Sequence, residues 1–242
     1  LYCTGTDSPQ PNNLIPNIVL YDYQAGRGGK CAVDYLDGYT RYLQVDGYVG
    51  YEKTDAILVG CWAHARRKFT EAKTAQPKGK TGKADMALSM IQKLYRLETS
   101  IKGKKATEKH QQRQEKAKPM LDKFAVWLSK AEVAPKSALG TAMTYCKNQW
   151  PKLTRYIEDG NLNIDNNRAE RAIKPFVIGR KNWLFSNTAN GAKASAMLYS
   201  IIETTKANDL IPFDYITHCL EQLCKPNVDI EKLLPWNVKL KK

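Results

Sequence analysis

Between Cys61 and Gly160 the apolar residues recur at threes and fours. Ala87, Met90, Ile91, Leu94, Leu97 and Ile101 form one stripe, and Leu121, Phe124, Ala125 and Leu128 repeat it. Such spacing places side chains on one face of a 3.6-residue helix, and the stripes read as helix-packing core. A helical body of about a hundred residues, a large fraction of a typical domain, is therefore committed in mid-chain, and the remaining segments must be built at its two ends.

The first sixty residues have a different grain. LYCTGT, NIVLYDYQ, RYLQVD and AILVGC read as strands with short connections, and GRGGKCAVDYLDGY reads as a Gly-rich turn and a short helix. Strands mixed with helices predict an α/β or α+β core. Within the helical tract QPKGKTGKAD reads as a flexible loop, Ser137 as an N-cap, and Pro151 as the start of a last helix that stops near Gly160. Beyond it DNNRAERAIK opens a helix that Pro175 ends, VIGRKNWLF reads as extended, and ANGAKASAMLYSIIETTKAND as an amphipathic helix. FDYITHCLEQLC and a Pro-containing tail close the chain.

Charge is concentrated rather than spread. Of a formal +14, residues 61–150 hold +13, residues 1–60 hold −3 and residues 151–242 hold +4. A local positive field of this kind attracts a polyanion, and a phosphate backbone is the commonest one. The plainer reading is a lysine-rich solvated helix surface. No apolar run approaches the roughly 18–20 residues of a membrane helix, so no membrane partner and a cytoplasmic location are expected. Six cysteines without a CxxC pair indicate reduced thiols, and Cys61 with His64 lacks the second ligand pair that zinc needs. Leu1 in place of a methionine, with LYCTGT strand-like from the start, reads as a piece of a larger protein.

Two acids stand out. Asp46, in YLQVDGYVGY, falls at the carboxyl end of a strand, where open α/β sheets place ligands. Asp-Gly between alternating apolar residues is also the strongest short hairpin signal, so pattern alone favours a structural turn. Glu170, in IDNNRAERAIKPFVIGRKNWLF, falls at the third helical position if Asn167 is the N-cap, which suits a capping box equally well. The mechanistic alternative is that both carboxylates hold magnesium, which prefers oxygen ligands and can activate an attacking hydroxyl in phosphoryl displacement. Arg168, Arg171, Lys174, Arg180 and Lys181 would then hold phosphates, as would Arg66, Arg67 and Lys68 in the basic tract. Trp183 with Phe185, and Tyr48 with Tyr51, suit either stacking of an unpaired base or a half-buried strand face.

LQVDGYVGY, CWAHARRKF, IDNNRAERAIKPFVIGRKNWLF and LLPW, in this order, resemble transposases of the insertion-sequence-sixty-six family, bacterial mobile elements with an Asp-Asp-Glu active site. The resemblance covers nearly the whole chain. It implies a ribonuclease-H-like core, a mixed sheet with flanking helices, interrupted by a large all-helical insertion. Its parts would be residues 1–60 and 161–218 as the two pieces of the core, 61–160 as the basic insertion and 219–242 as a C-terminal extension. On this resemblance Asp46 is the second catalytic acid and Glu170 the third. The first belongs to an upstream strand with a motif of the Asp-Glu-Thr type, which neither Asp7 nor Asp22 matches. The chain alone is thus expected to bind Mg²⁺ weakly and to cleave DNA poorly. The implied activity is metal-dependent cleavage and strand transfer at element ends, with Mg²⁺ as cofactor, two ions, and Mn²⁺ as the alternative. DNA ends and target would be partners, with a homo-oligomer in the synaptic complex, accessory proteins of the element, and a nucleoid-associated location. A DNA-binding remnant without chemistry and a structure-specific nuclease of the same fold are the rival readings.

Overall fold

Where the strand-like segments meet their neighbours, each contributes three paired residues and no more. The computed structural model describes residues 1–6, 15–26, 28–76, 82–183 and 186–240. Within them lie two compact units, one formed by Leu1–Arg27 with Asn167–Lys242 and the other by Gly28–Asn166.

The first unit opens with β1 (Tyr2–Thr4) and β2 (Ile18–Leu20), paired antiparallel with Tyr2 opposite Leu20. The second unit begins with α1 (Gly29–Tyr35) and β3 (Tyr42–Gln44). A 3₁₀ turn (Val49–Lys53) then leads to β4 (Ile57–Val59), which runs parallel to β3. The helical body follows as α2 (Trp62–Thr74), α3 (Lys83–Ser100), α4 (Ala106–Gln112), α5 (Lys118–Lys130) and α6 (Ala138–Thr154), with one π-helical turn, Arg113–Ala117, joining α4 to α5. Back in the first unit stand α7 (Asn167–Trp183), α8 (Ala189–Ala207) and α9 (Pro212–Leu223).

The helical stripes are core. Ala87, Ile91, Leu94, Leu97 and Ile101 of α3 and Leu121, Phe124 and Leu128 of α5 are buried, with Met90 packed at the edge. Phe124 centres an aromatic nest: Trp150 lies 5.5 Å away edge-on, Trp62 5.8 Å and Phe69 6.4 Å. The Trp62 indole N–H donates to the Leu153 carbonyl at 2.8 Å, so this buried ring carries no unsatisfied polar atom. Ser137 caps α6, its hydroxyl accepting the Gly140 N–H at 3.0 Å. Among the described residues no helix is long and apolar enough to cross a membrane.

The expected α/β architecture, a ribonuclease-H-like mixed sheet, is not what the described residues form. The described residues are mostly helical, with two small two-stranded sheets. The physical reason lies at the sheet edges. On β2 the outward N–H of Val19 donates to the Thr204 hydroxyl at 3.0 Å, that hydroxyl donates back to the Val19 carbonyl, and the Tyr21 N–H donates to Ser200 Oγ at 2.8 Å. Side chains one helical turn apart on α8 thus take the place of a third strand. On β4 the Leu58 carbonyl accepts the Arg155 guanidinium at 2.8 Å, and just past the strand the Gly60 N–H donates to the Lys152 carbonyl at 2.9 Å. With these groups already satisfied, neither the β2 edge nor the β4 edge recruits a further strand among the described residues.

Two prolines also read differently in the fold. Pro151 lies inside α6 and Pro175 inside α7, so VIGRKNW is helical instead of extended. Proline costs a helix about 3 kcal/mol, and packing on both flanks offsets this here. Beside Pro151, Leu153 is fully buried and Trp150 reaches the aromatic nest. Beside Pro175, Phe176 packs edge-on against Tyr199 at 5.2 Å and against Tyr21 at 5.9 Å, while the Tyr21 hydroxyl donates to the Ala172 carbonyl. Asp7, Leu184 and Phe185, residues 77–81 of the expected loop, and the side chains of Arg180 and Trp183 lie outside the described residues.

Candidate functional site

Asp46 belongs to the unit Gly28–Asn166 and Glu170 to the other. The ladder holds through Val45, whose N–H donates to the Val59 carbonyl at 2.9 Å, and Asp46 then stands exposed at the strand end. Its Oδ1 accepts the Tyr48 N–H at 3.0 Å, a local turn that fixes the carboxylate's direction. Gly47 has φ +91°, a conformation other residues rarely adopt, and a Cβ there would come within 3.1 Å of the Tyr145 hydroxyl, so the turn favours glycine. Because β3 and β4 are parallel, this Asp-Gly turn starts a crossover and not a hairpin.

Phenols surround the turn. Tyr48, exposed, meets Tyr51 edge-on at 5.9 Å. Burial first, and the Asp46 charge second, hold the Tyr51 hydroxyl above its ordinary pKa. Tyr145 is pushed up to about 12, chiefly by burial, with Cys61 and then Asp46 adding to it. Both stay neutral donors at physiological pH. Cys61, at the start of α2, accepts the Asn166 N–H on Sγ at 3.2 Å, and burial pushes its thiol up. A protonated thiol is a poor metal ligand, whereas the Asp46 oxygens suit a hard cation such as magnesium.

On α2, Arg66 and Arg67 are exposed, and Lys68 lies 3.8 Å from Glu71. Tyr95 donates to Asp165 Oδ2 at 2.9 Å. Its pKa is raised by burial and by that carboxylate, and the Arg66 charge opposes the rise. Asp165, directly ahead of the amide pair, was passed over in the sequence reading although it stands in the same motif.

In the other unit α7 carries Arg168, Glu170, Arg171, Lys174 and Lys181. Helical spacing puts Glu170, Lys174 and Lys181 along one stripe and Arg168 with Arg171 along another. The arginine stripe lines a cleft with Val19, Ala172, Glu203, Lys206 and Ala207. Arg168 donates to the Thr4 carbonyl, and Lys206 pairs with Glu203 at 2.7 Å. Glu203 and Lys206 escaped the sequence reading, since an i,i+3 pair on a helix looks like any solvated pair. α7 begins at Asn167, so that residue is the first of the helix rather than the cap before it.

Residues 1–194 match the Transposase IS66 family, and residues 200–236 match the IS66 C-terminal element. The chain is 34% identical over 254 residues to the uncharacterized protein y4qI of Sinorhizobium fredii (strain NBRC 101917 / NGR234), covering 99% of this chain and 47% of that protein. Against y4hP of the same organism it is 32% identical over 244 residues, with 93% and 44% covered. Against y4jD it is 30% identical over 256 residues, with 99% and 49% covered. The chain thus spans about half the length of the curated relatives it matches. No solved structure matches it. With one family covering residues 1–194 and that family's own C-terminal element following at 200–236, the chain belongs to the IS66 family of transposases.

Proposed function

We propose that this chain supplies the catalytic portion of a DNA transposase that cuts and joins phosphodiesters at the ends of a mobile insertion element. Asp46 and Glu170 act as its metal-holding acids. The observation that carries this reading is the family match over residues 1–194, a span that contains both acids and the basic helix α2. The chemistry of the residues agrees with it. Asp46 is exposed and oriented by the Tyr48 amide, and its carboxylate is an oxygen donor of the kind magnesium takes. Bound Mg²⁺ supplies Lewis-acid activation of the attacking hydroxyl and of the leaving oxygen. Tyr51 and Tyr145, kept protonated beside Asp46, offer hydrogen bonds to a phosphate oxygen at that strand end. Arg66, Arg67 and Lys68 take the DNA backbone, and Arg168, Arg171, Lys174, Arg180 and Lys181 receive phosphates near Glu170 in sequence.

Metal affinity is the test. Titration of Mn²⁺ as a paramagnetic probe, with Mg²⁺ in competition, into the chain and into Asp46→Asn and Glu170→Gln variants should show each variant losing about tenfold or more in affinity. Both variants binding as tightly as the unaltered chain would remove the two acids from the reading.

A further inference from the structure

α9 carries two apolar faces where one would suffice. Its inner face is already used: Tyr215 is buried, its hydroxyl donating to the Leu233 carbonyl at 2.7 Å, with Cys219 beside it. A second stripe, Phe213, Ile216, Leu220 and Leu223, stands exposed at 77%, 37%, 60% and 50%, and Ile211 at its head is 64% exposed. Spacing of three, four and three is the seam of a helix that packs against another helix. No described residue covers it.

We propose that this stripe is a two-fold interface between copies of the chain, α9 pairing antiparallel with α9. The spacing is palindromic about residue 218, so antiparallel pairing sets Phe213 against Leu223 and Ile216 against Leu220, and each helix meets its own complement. Charge permits it. Thr217, Cys219 and Cys224 flank the stripe without like-charge repulsion, and Asp214 and Glu221 lie off it around the helix. Area sets its strength. At roughly 150–200 Å² for a large apolar side chain, the exposed fractions of the four paired residues leave about 400 Å² per copy. Pairing then buries at most about 800 Å² in all, the size of a weak contact rather than of a stable interface. A weak, concentration-dependent dimer follows. The inference rests on α9 alone and stands apart from the metal and DNA readings.

Light scattering and sedimentation equilibrium of the 242-residue chain, in reducing buffer so that Cys224 forms no disulfide, over about a hundredfold range of concentration, test it. The mass should rise toward twice the monomer value, and Leu220→Asp or Phe213→Ser should hold it at the monomer value with an unchanged melting temperature, both side chains being mostly exposed. Mixing Ile216→Lys with Leu220→Glu chains, each monomeric alone, should restore the doubled mass, since the antiparallel register sets these positions against each other. A chain that stays monomeric throughout, or a dimer indifferent to these substitutions, overturns the proposal. So does a dimer that Leu220→Asp dissociates but the mixed pair fails to restore.

Discussion

Arg113 shows how much one side chain can organise. It is 2% exposed and gives its donors to Glu98 twice, at 3.0 and 2.7 Å, and to the carbonyls of Tyr156, Asp159 and Leu162. Its guanidinium also lies 5.2 Å from the Tyr156 ring centroid. Those carbonyls belong to the turn after α6, the stretch that runs on to Ile164, whose carbonyl accepts the Trp62 N–H at 3.1 Å. One planar fork therefore fixes a loop that has little other regular structure. Replacing it by Met keeps the volume but leaves Glu98 and three carbonyls without their donor, and breaking a buried pair from one side costs about 3–5 kcal/mol. Urea unfolding of Arg113→Met should show a loss of that size. A loss below about 1 kcal/mol would mean that water replaces the guanidinium without penalty. None of this was legible beforehand: Arg113 sits among lysines in KATEKHQQRQEK and looks like one more solvated base.

Among the elements, periodicity was legible and partnership was not. The stripes of α3 and α5 foretold their buried faces because a helix's inner face is written in its own residues. The strands were found at the right places, yet their sheets stop at two strands, because the groups that cap β2 come from Thr204 and Ser200 and those that cap β4 from Arg155 and Lys152, far along the chain. Pro175 misled for the same reason, its helix being held together by Tyr21 and Tyr199. Asp46 and Glu170 were picked out by motif, each in its own unit, while Tyr145 beside the Asp46 turn carries no mark in its own segment. The edge-capping account has a direct consequence. Thr204→Val keeps the shape of the side chain and removes its hydroxyl, stranding both the N–H and the carbonyl of Val19 in a buried setting. The cost should be about 1–3 kcal/mol in chemical unfolding, with the Val19 amide exchanging faster. If the variant unfolds as the unaltered chain does, the edge is satisfied by something other than α8.

At the scale of the whole molecule the decisive quantity is where charge lies. The chain's +14 is carried almost wholly by residues 61–150, which hold 20 Lys and Arg against 7 acids. Part of that charge is neutralised internally. Lys73 lies 2.7 Å from Asp85, which also closes the start of α3, and Arg113 is spent on Glu98. Arg66 and Arg67 stand exposed on the same helix as Lys73, with Lys68 partly drawn to Glu71. If α2 takes a DNA backbone as proposed, each phosphate contact releases condensed counterions, and the logarithm of affinity falls with the logarithm of salt by about 0.9 per contact. Neutralising Arg66, Arg67 and Lys68 together as glutamines should lower that slope by about 1 to 3, with the Glu71 contact setting the lower end. Affinity should drop alike on unrelated duplexes, because backbone contacts carry no base information. Fluorescence anisotropy across a salt series, on two duplexes of different sequence, reads both quantities at once. A slope and affinity untouched by the triple substitution would move the DNA-holding surface off α2 and leave its arginines as solvated charge.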